Sequence, residues 1–205
     1  PMKTSPKSSR GLGDKDQRIL DAAKILFSRY GLKKTSIEEI AQHAGLGKGT
    51  VYLYFKSKDE IFSVLASGFA AEFEQALDEA LEVPATPSEK LRAFITTRVG
   101  FFDRCFKEYG ATAESILEAE ASPVVEGLRK QYGGRHVALI ASLLDEGHKR
   151  GDFHIENPEF TALAIYHVLE SLARPWNTEV QGMTADEKVK ACVSLLLDGL
   201  LNRKI

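Results

Sequence analysis

The chain has little cysteine and no long apolar run, and each scarcity closes off a class of protein. Its two cysteines in 205 residues, Cys105 and Cys192, lie far apart in apolar surroundings, whereas metal and redox sites favour close pairs. Both read as small buried hydrophobes. No stretch of about 18 apolar residues is present, and Pro1 to Arg10 lacks the apolar segment of a secretory signal. A cytoplasmic location with no membrane partner is therefore expected. There is no Gly-rich phosphate loop, no Gly-x-Ser-x-Gly elbow and no acid pair in a recognisable catalytic setting. His43, His136, His148, His154 and His167 are scattered without ligand spacing. The expectation is a chain that is not an enzyme and that needs neither a cofactor nor a metal.

What is present is an uneven charge. The formal net charge of -2 hides a first stretch, residues 1–60, with 12 Lys+Arg against 7 Asp+Glu, and a remainder with 15 against 22. The first third suits a polyanion and the rest would be repelled by one. Residues 1–13 hold Lys3, Lys7 and Arg10 among Ser, Pro and Gly, too polar to order themselves, and read as a flexible basic arm. Such an arm is either a solvated tail or a source of added phosphate contacts.

The remainder is punctuated for helices. Ile19, Ala22, Ala23, Leu26, Phe27 and Tyr30 recur at helical spacing before a stop at Gly31. Capping boxes at Ser36–Glu39, Ser57–Glu60, Thr86–Glu89 and Thr184–Glu187 open further helices, as do Ser122–Pro123 and Asn157–Pro158. Predicted ends fall near Leu81, Lys107, Arg150, Trp176 and Asn202, with a short helix over 111–119. No period-two strand pattern emerges, so the fold class is all-α with about nine helices.

Residues 35–55 compress two short helices and a tight turn at Gly45, with Ala41 small enough for a close crossing. Ile37, Ile40, Ala44, Leu46, Val51 and Phe55 form the shared core of a helix-turn-helix, which leaves the second helix to present its other side chains outward. On this reading Lys48, Lys56 and Lys58 meet phosphates, Thr50 and Tyr52 reach base edges or a thymine methyl, and Gly49 permits close backbone approach. Tyr54 hydrogen-bonds a phosphate, as does Thr35 or Ser36 at the start of the first of the two helices. Tyr52 and Tyr54 as packing aromatics is the alternative.

The runs Ile19-Leu-Asp-Ala-Ala23, Phe27-Ser-Arg-Tyr-Gly31, Thr35-Ser-Ile-Glu-Glu-Ile-Ala41, Ala44-Gly-Leu-Gly-Lys-Gly-Thr-Val-Tyr52 and Tyr54-Phe-Lys-Ser-Lys-Asp-Glu-Ile61 together resemble the TetR family of bacterial transcriptional regulators. Tyr54 stands where many members carry histidine. The resemblance implies an arm over 1–13, a helix-turn-helix domain over 14–57 and a helical effector-binding and dimerisation domain over 58–205. It further implies a homodimer on a double-stranded operator with two half-sites.

Within that resemblance the last two long helices pair with the partner's through Phe160, Leu163, His167, Val168 and Ser171, and through Val189, Val193, Leu196, Leu197 and Leu200. A purely intrachain core is the alternative. The fourth to seventh helices imply a ligand pocket, with Phe69, Phe73, Phe101, Phe102, Cys105, Tyr109, Ile116, Leu117, Tyr132 and His136 as candidates, although aromatics at helical spacing also serve as plain core. Gly133-Gly134 in a helix interior costs roughly 1 kcal/mol per glycine against alanine, which points to a close crossing or space for a ligand. The implied function is sequence-specific DNA binding as a repressor released by a small hydrophobic or amphipathic molecule. The alternative is a DNA-binding factor of the same fold without an effector.

Overall fold

A computed structural model describes residues 13–172 and 183–198. The predicted arm up to residue 12, Leu200 and the side chain of Cys105 lie outside the described residues. The helices are α1 (Asp14–Tyr30), α2 (Ile37–His43), α3 (Lys48–Tyr54), α4 (Lys58–Glu82), α5 (Pro87–Tyr109), α6 (Ala113–Glu120), α7 (Pro123–Arg150), α8 (Pro158–Leu172) and α9 (Ala185–Val193). The last runs into a π-helical turn, Ser194–Asp198. No strand occurs among the described residues.

Most of the predicted starts rest on the expected caps. Ser36 and Glu39 close a full capping box on α2, Thr86 and Glu89 bond reciprocally before Pro87, and Thr184 with Glu187 opens α9. Ser57 is a correction. Its hydroxyl caps the Glu60 amide, but the Glu60 carboxylate takes the amide of Lys56 rather than that of Ser57, so the box is half made. α7 stops at Gly151, φ +80°, behind His148, Lys149 and Arg150, cations where the helix dipole favours them. Gly31 ends α1 with φ +85° but ψ 164°, an extended exit rather than the left-handed cap expected.

Two apolar cores result. The first joins α1 to α3 and the start of α4 around Ile19, Ala23, Ile40, Val51 and Ile61, all within 0% of exposure, and Leu65, Ala119 and Val125 pack against it from α4, α6 and α7. The second fills the larger body around Leu91, Phe94, Ile140, Leu144, Phe153, Leu169 and Leu197. Cys192 lies buried in this second core, as a small hydrophobe should. Val193 and Leu197 are buried with it, which corrects their expected place on a face between protomers: α9 turns them inward against its own chain.

The two units meet on α6. The carbonyl of Ser28, in the last turns of α1, accepts the Ser115 hydroxyl at 2.7 Å and the Thr112 amide at 3.2 Å. Glu118 accepts the Lys33 amide at 3.2 Å, and Glu114 pairs with Lys34 at 3.0 Å.

Candidate nucleic-acid interface and body cavity

The turn between α2 and α3 is set by Gly45, whose φ of +67° places it where side chains are disfavoured. A Cβ there would also come within 2.9 Å of Arg18 Nη2. Arg18 needs that space, because its guanidinium donates to the Ala44 carbonyl at 2.6 Å and reaches that of Gly45 at 3.3 Å, tying the turn to α1. With the turn fixed, α3 buries Val51 and, at its end, Phe55. The opposite face of α3 is exposed: Lys48, Gly49, Tyr52, Tyr54 and Leu53, the last 82% accessible, with Thr50 half-buried. The Lys48 ammonium pairs with Glu38, which raises the lysine's pKa and lowers the glutamate's, and it lies 5.9 Å from the Tyr52 ring centre. Lys56 is exposed beside them.

Beneath this unit the body borders a partly open cavity of about 340 Å³. Phe62, Leu65, Phe69 and Phe73 of α4, Phe101, Phe102 and Tyr109 of α5, Ile116 and Ala119 of α6, and Val125, Leu128 and Tyr132 of α7 form an apolar wall. Lys24, Phe27 and Ser28 of α1 complete it, so the N-terminal unit itself is part of the lining. Lys24 Nζ sits 3.8 Å from the Tyr109 ring centre and 5.0 Å from that of Phe69. On the α8 side the lining turns polar with Glu74, Arg98, Arg129, His136, Tyr166 and Glu170. There Glu170 Oε1 accepts the Tyr166 hydroxyl at 3.1 Å and Arg129 Nε at 3.2 Å, and Glu74 Oε1 meets His136 Nε2 at 2.7 Å. Burial pushes the His136 imidazole below the ordinary histidine range, against the opposing pull of Glu74.

The profile "Bacterial regulatory proteins, tetR family" matches residues 19–65, and "Tetracyclin repressor-like, C-terminal domain" matches residues 84–200. The chain belongs to the TetR family. It is a DNA-binding transcriptional regulator and not an enzyme. A TetR-family relative, the fatty acid metabolism regulator protein of Bacillus subtilis, is 34% identical over 197 residues, covering 92% of this chain and 97% of the relative. The transcriptional repressor KstR2 of Rhodococcus jostii is 27% identical over 205 residues, covering 96% and 94%. The structure of the ketosteroid transcriptional regulator KstR2 of Mycobacterium tuberculosis superposes with a TM-score of 0.71 at 18% identity, covering 94% of this chain and 98% of that one.

Among the residues singled out from the TetR-like sequence, Thr35 leaves the outer surface altogether. It is 3% exposed and its hydroxyl donates to the Gly31 carbonyl at 2.8 Å. Ser36 spends its hydroxyl and amide on Glu39. Lys58 turns back to the carbonyls of Thr35, at 2.8 Å, and Lys33, at 3.4 Å, closing the loop before α2. Of the pocket candidates, Phe69, Phe73, Phe101, Phe102, Tyr109, Ile116, Tyr132 and His136 do line one cavity. Leu117 does not: it is 43% exposed on the outer side of α6. Gly133 is explained by crossing, since a Cβ there would meet the Tyr166 hydroxyl at 2.8 Å, while nothing crowds Gly134. The polar lining of Glu74, Arg98, Arg129, Tyr166 and Glu170, and the contribution of α1, escaped the sequence reading. The signal was available in Arg98, which interrupts the apolar stripe Leu91, Ile95, Phe102 at a core position.

TetR-family regulators act as dimers. Here Phe160, 69% exposed, with Leu163, His167, Val168 and Ser171, forms an outward face of α8, and Val189 and Leu196 are half-buried on the last helical segment. Among the described residues no helix is long and apolar enough to cross a membrane.

Proposed function

We propose that this chain is a homodimeric repressor that leaves its operator when a small hydrophobic or amphipathic molecule fills the body cavity. The observation that carries the reading is the lining itself: Phe69 and Phe101 of the body share one cavity with Lys24, Phe27 and Ser28 of α1. A ligand shifts an equilibrium only by its differential affinity for the two states. A cavity with one wall on each unit provides that difference, because a change in the pose of α1 changes the lining. The same cavity favours this reading over a factor of the same fold without an effector, for which a solid body would serve.

On this proposal residues 14–57 read DNA and residues 58–205 bind effector and dimerise, with the arm over 1–13 adding phosphate contacts. Lys56 and Lys48 meet phosphates, Lys48 exchanging an exposed Glu38 contact for one, and Tyr54 donates its hydroxyl to the backbone. Thr50, Tyr52 and the exposed Leu53 face the bases, with Gly49 letting α3 approach closely. The α8 face of Phe160, Leu163, His167, Val168 and Ser171, extended by Val189 and Leu196, joins the protomers and so sets the half-site spacing. The test is to select bound sequences from a random duplex pool and then titrate the complex with apolar fractions of a cell extract. A palindromic half-site pair and release by one fraction are expected; a complex insensitive to every fraction overturns the effector half of the proposal.

A further inference from the structure

The α8 side of the cavity holds paired charges and three polar atoms without a hydrogen bond. Glu170 has the Tyr166 hydroxyl and Arg129 in contact, with Arg98 Nη2 at 3.6 Å. Glu74 has His136 on one oxygen and Arg135 Nη1 on the other at 3.1 Å. Yet Arg98 Nε, His136 Nδ1 and Glu74 Oε2, the last facing only the Arg135 charge, have no hydrogen-bond partner, although the three side chains are only 7%, 4% and 11% exposed. Buried polar atoms are seldom left unmet, so three of them on residues of one cavity wall mark where a guest that reaches between these side chains completes the set.

The chemistry of that guest follows from what each atom can do. Arg98 Nε–H only donates. Burial disfavours the His136 cation, and because the Glu74 carboxylate only accepts, the imidazole meets it with Nε2–H, which leaves Nδ1 as the acceptor of the neutral ring. Both groups lean on the same two rings. The Arg98 guanidinium lies 5.8 Å from the Phe73 ring centre and 5.1 Å from that of Tyr166, and the His136 ring is 5.6 and 6.2 Å from the same two. A hydroxyl accepts from one and donates to the other. A carboxylate has no proton to give Nδ1 or Glu74 Oε2, and the charges of Arg98, Arg129 and Arg135 are already engaged by Glu74 and Glu170.

The geometry points to an elongated apolar molecule ending in an uncharged hydroxyl, seated between Arg98 Nε and His136 Nδ1 with its body along Phe69, Phe101 and Phe102, as the ligand class of the cavity. This rests on the reading of the cavity as the effector site. Calorimetric titration of the full chain at neutral pH with dodecanol, dodecyl methyl ether and dodecanoate tests it without any mutation. Dodecanol is expected to bind about tenfold more tightly than either analogue, the worth of one buried hydrogen bond. His136→Phe should bring dodecanol down to the ether's affinity and leave the ether unchanged, whereas Arg98→Lys, which keeps the charge and loses Nε–H, should weaken both.

Tightest binding by dodecanoate, no binding by dodecanol, or an equal loss for alcohol and ether in His136→Phe overturns the inference; the wild-type alcohol-to-ether ratio decides it if either variant fails to fold. The effector reading fails separately. Dodecanol that binds with the expected pattern and leaves operator affinity unchanged sinks that reading and upholds the hydroxyl site, while release by an extract fraction alongside failure of the dodecanol series does the reverse.

Discussion

The DNA-proximal unit and the body solve opposite problems with the same element, the amphipathic helix. In the first, the polar groups at the turn and loop have partners: buried Thr35 bonds Gly31, half-buried Lys58 bonds the loop, and exposed Arg18 holds the turn at Gly45. In the second, a cavity remains among the helices and Arg98 and His136 keep unmet atoms. A unit whose polar groups are already met has little to gain from a guest. A body with empty volume and unspent hydrogen bonds has stability in reserve for a guest to supply.

The contrast can be broken most forcefully in the cores. Ile40→Ala in the reading unit should cost about 2–5 kcal/mol, while Ile116→Ala, whose side chain already faces the cavity, should cost under about 1 kcal/mol; chemical denaturation of both variants checks it, and equal losses would erase the distinction. Next comes the outer face of the body. Leu163→Glu should weaken the dimer at least about a hundredfold, of order 3 kcal/mol for an unpaired charge entering an interface, with the monomer seen by sedimentation and its helicity intact. Gly45→Ala should cost about 1–2 kcal/mol through its positive φ, read by thermal unfolding, with a further loss of DNA binding if Arg18 is displaced.

Smaller effects sharpen the picture. Lys56→Ala should leave stability unchanged and lower the salt slope of DNA binding by about 1, equally for operator and random duplex, whereas Tyr52→Ala should also reduce their ratio; mobility shifts over a salt series separate the two. The smallest is a pH effect confined to the body. The folded-state pKa of His136 lies below its unfolded value, so the unfolded chain binds the extra proton first and stability falls as pH drops below about 6.5. The melting temperature of His136→Gln should therefore decline less than that of the wild type on acidification. Parallel declines would remove His136 from the account.

How much of this was legible in the sequence follows the same division. Caps are local, so Ser36, Thr86, Ser122 and Thr184 marked helix starts correctly, and the shared core of Ile37, Ile40, Val51 and Phe55 followed from spacing alone. Ser57 failed because Glu60 had a second amide, that of Lys56, within reach. Thr35 and Lys58 read as surface donors, and only the fold brings the carbonyls that claim them. In the body the aromatic lining was legible as apolar stripe, but charged residues on amphipathic helices read as solvent-facing until a neighbouring helix covers them. Arg98, Glu74 and Glu170 were missed for that reason, and Val193 and Leu197 were misplaced because periodicity gives a face without naming its partner.

The Ser28 carbonyl takes both the Ser115 hydroxyl and the Thr112 amide. For anyone exchanging recognition modules between regulators, that makes the portable piece discontinuous. A graft cut at the start of α4 severs this double acceptor, together with the Glu118 clasp on Lys33, and leaves α1 ending on bare backbone. The transplant that keeps its footing carries residues 112–120 with it.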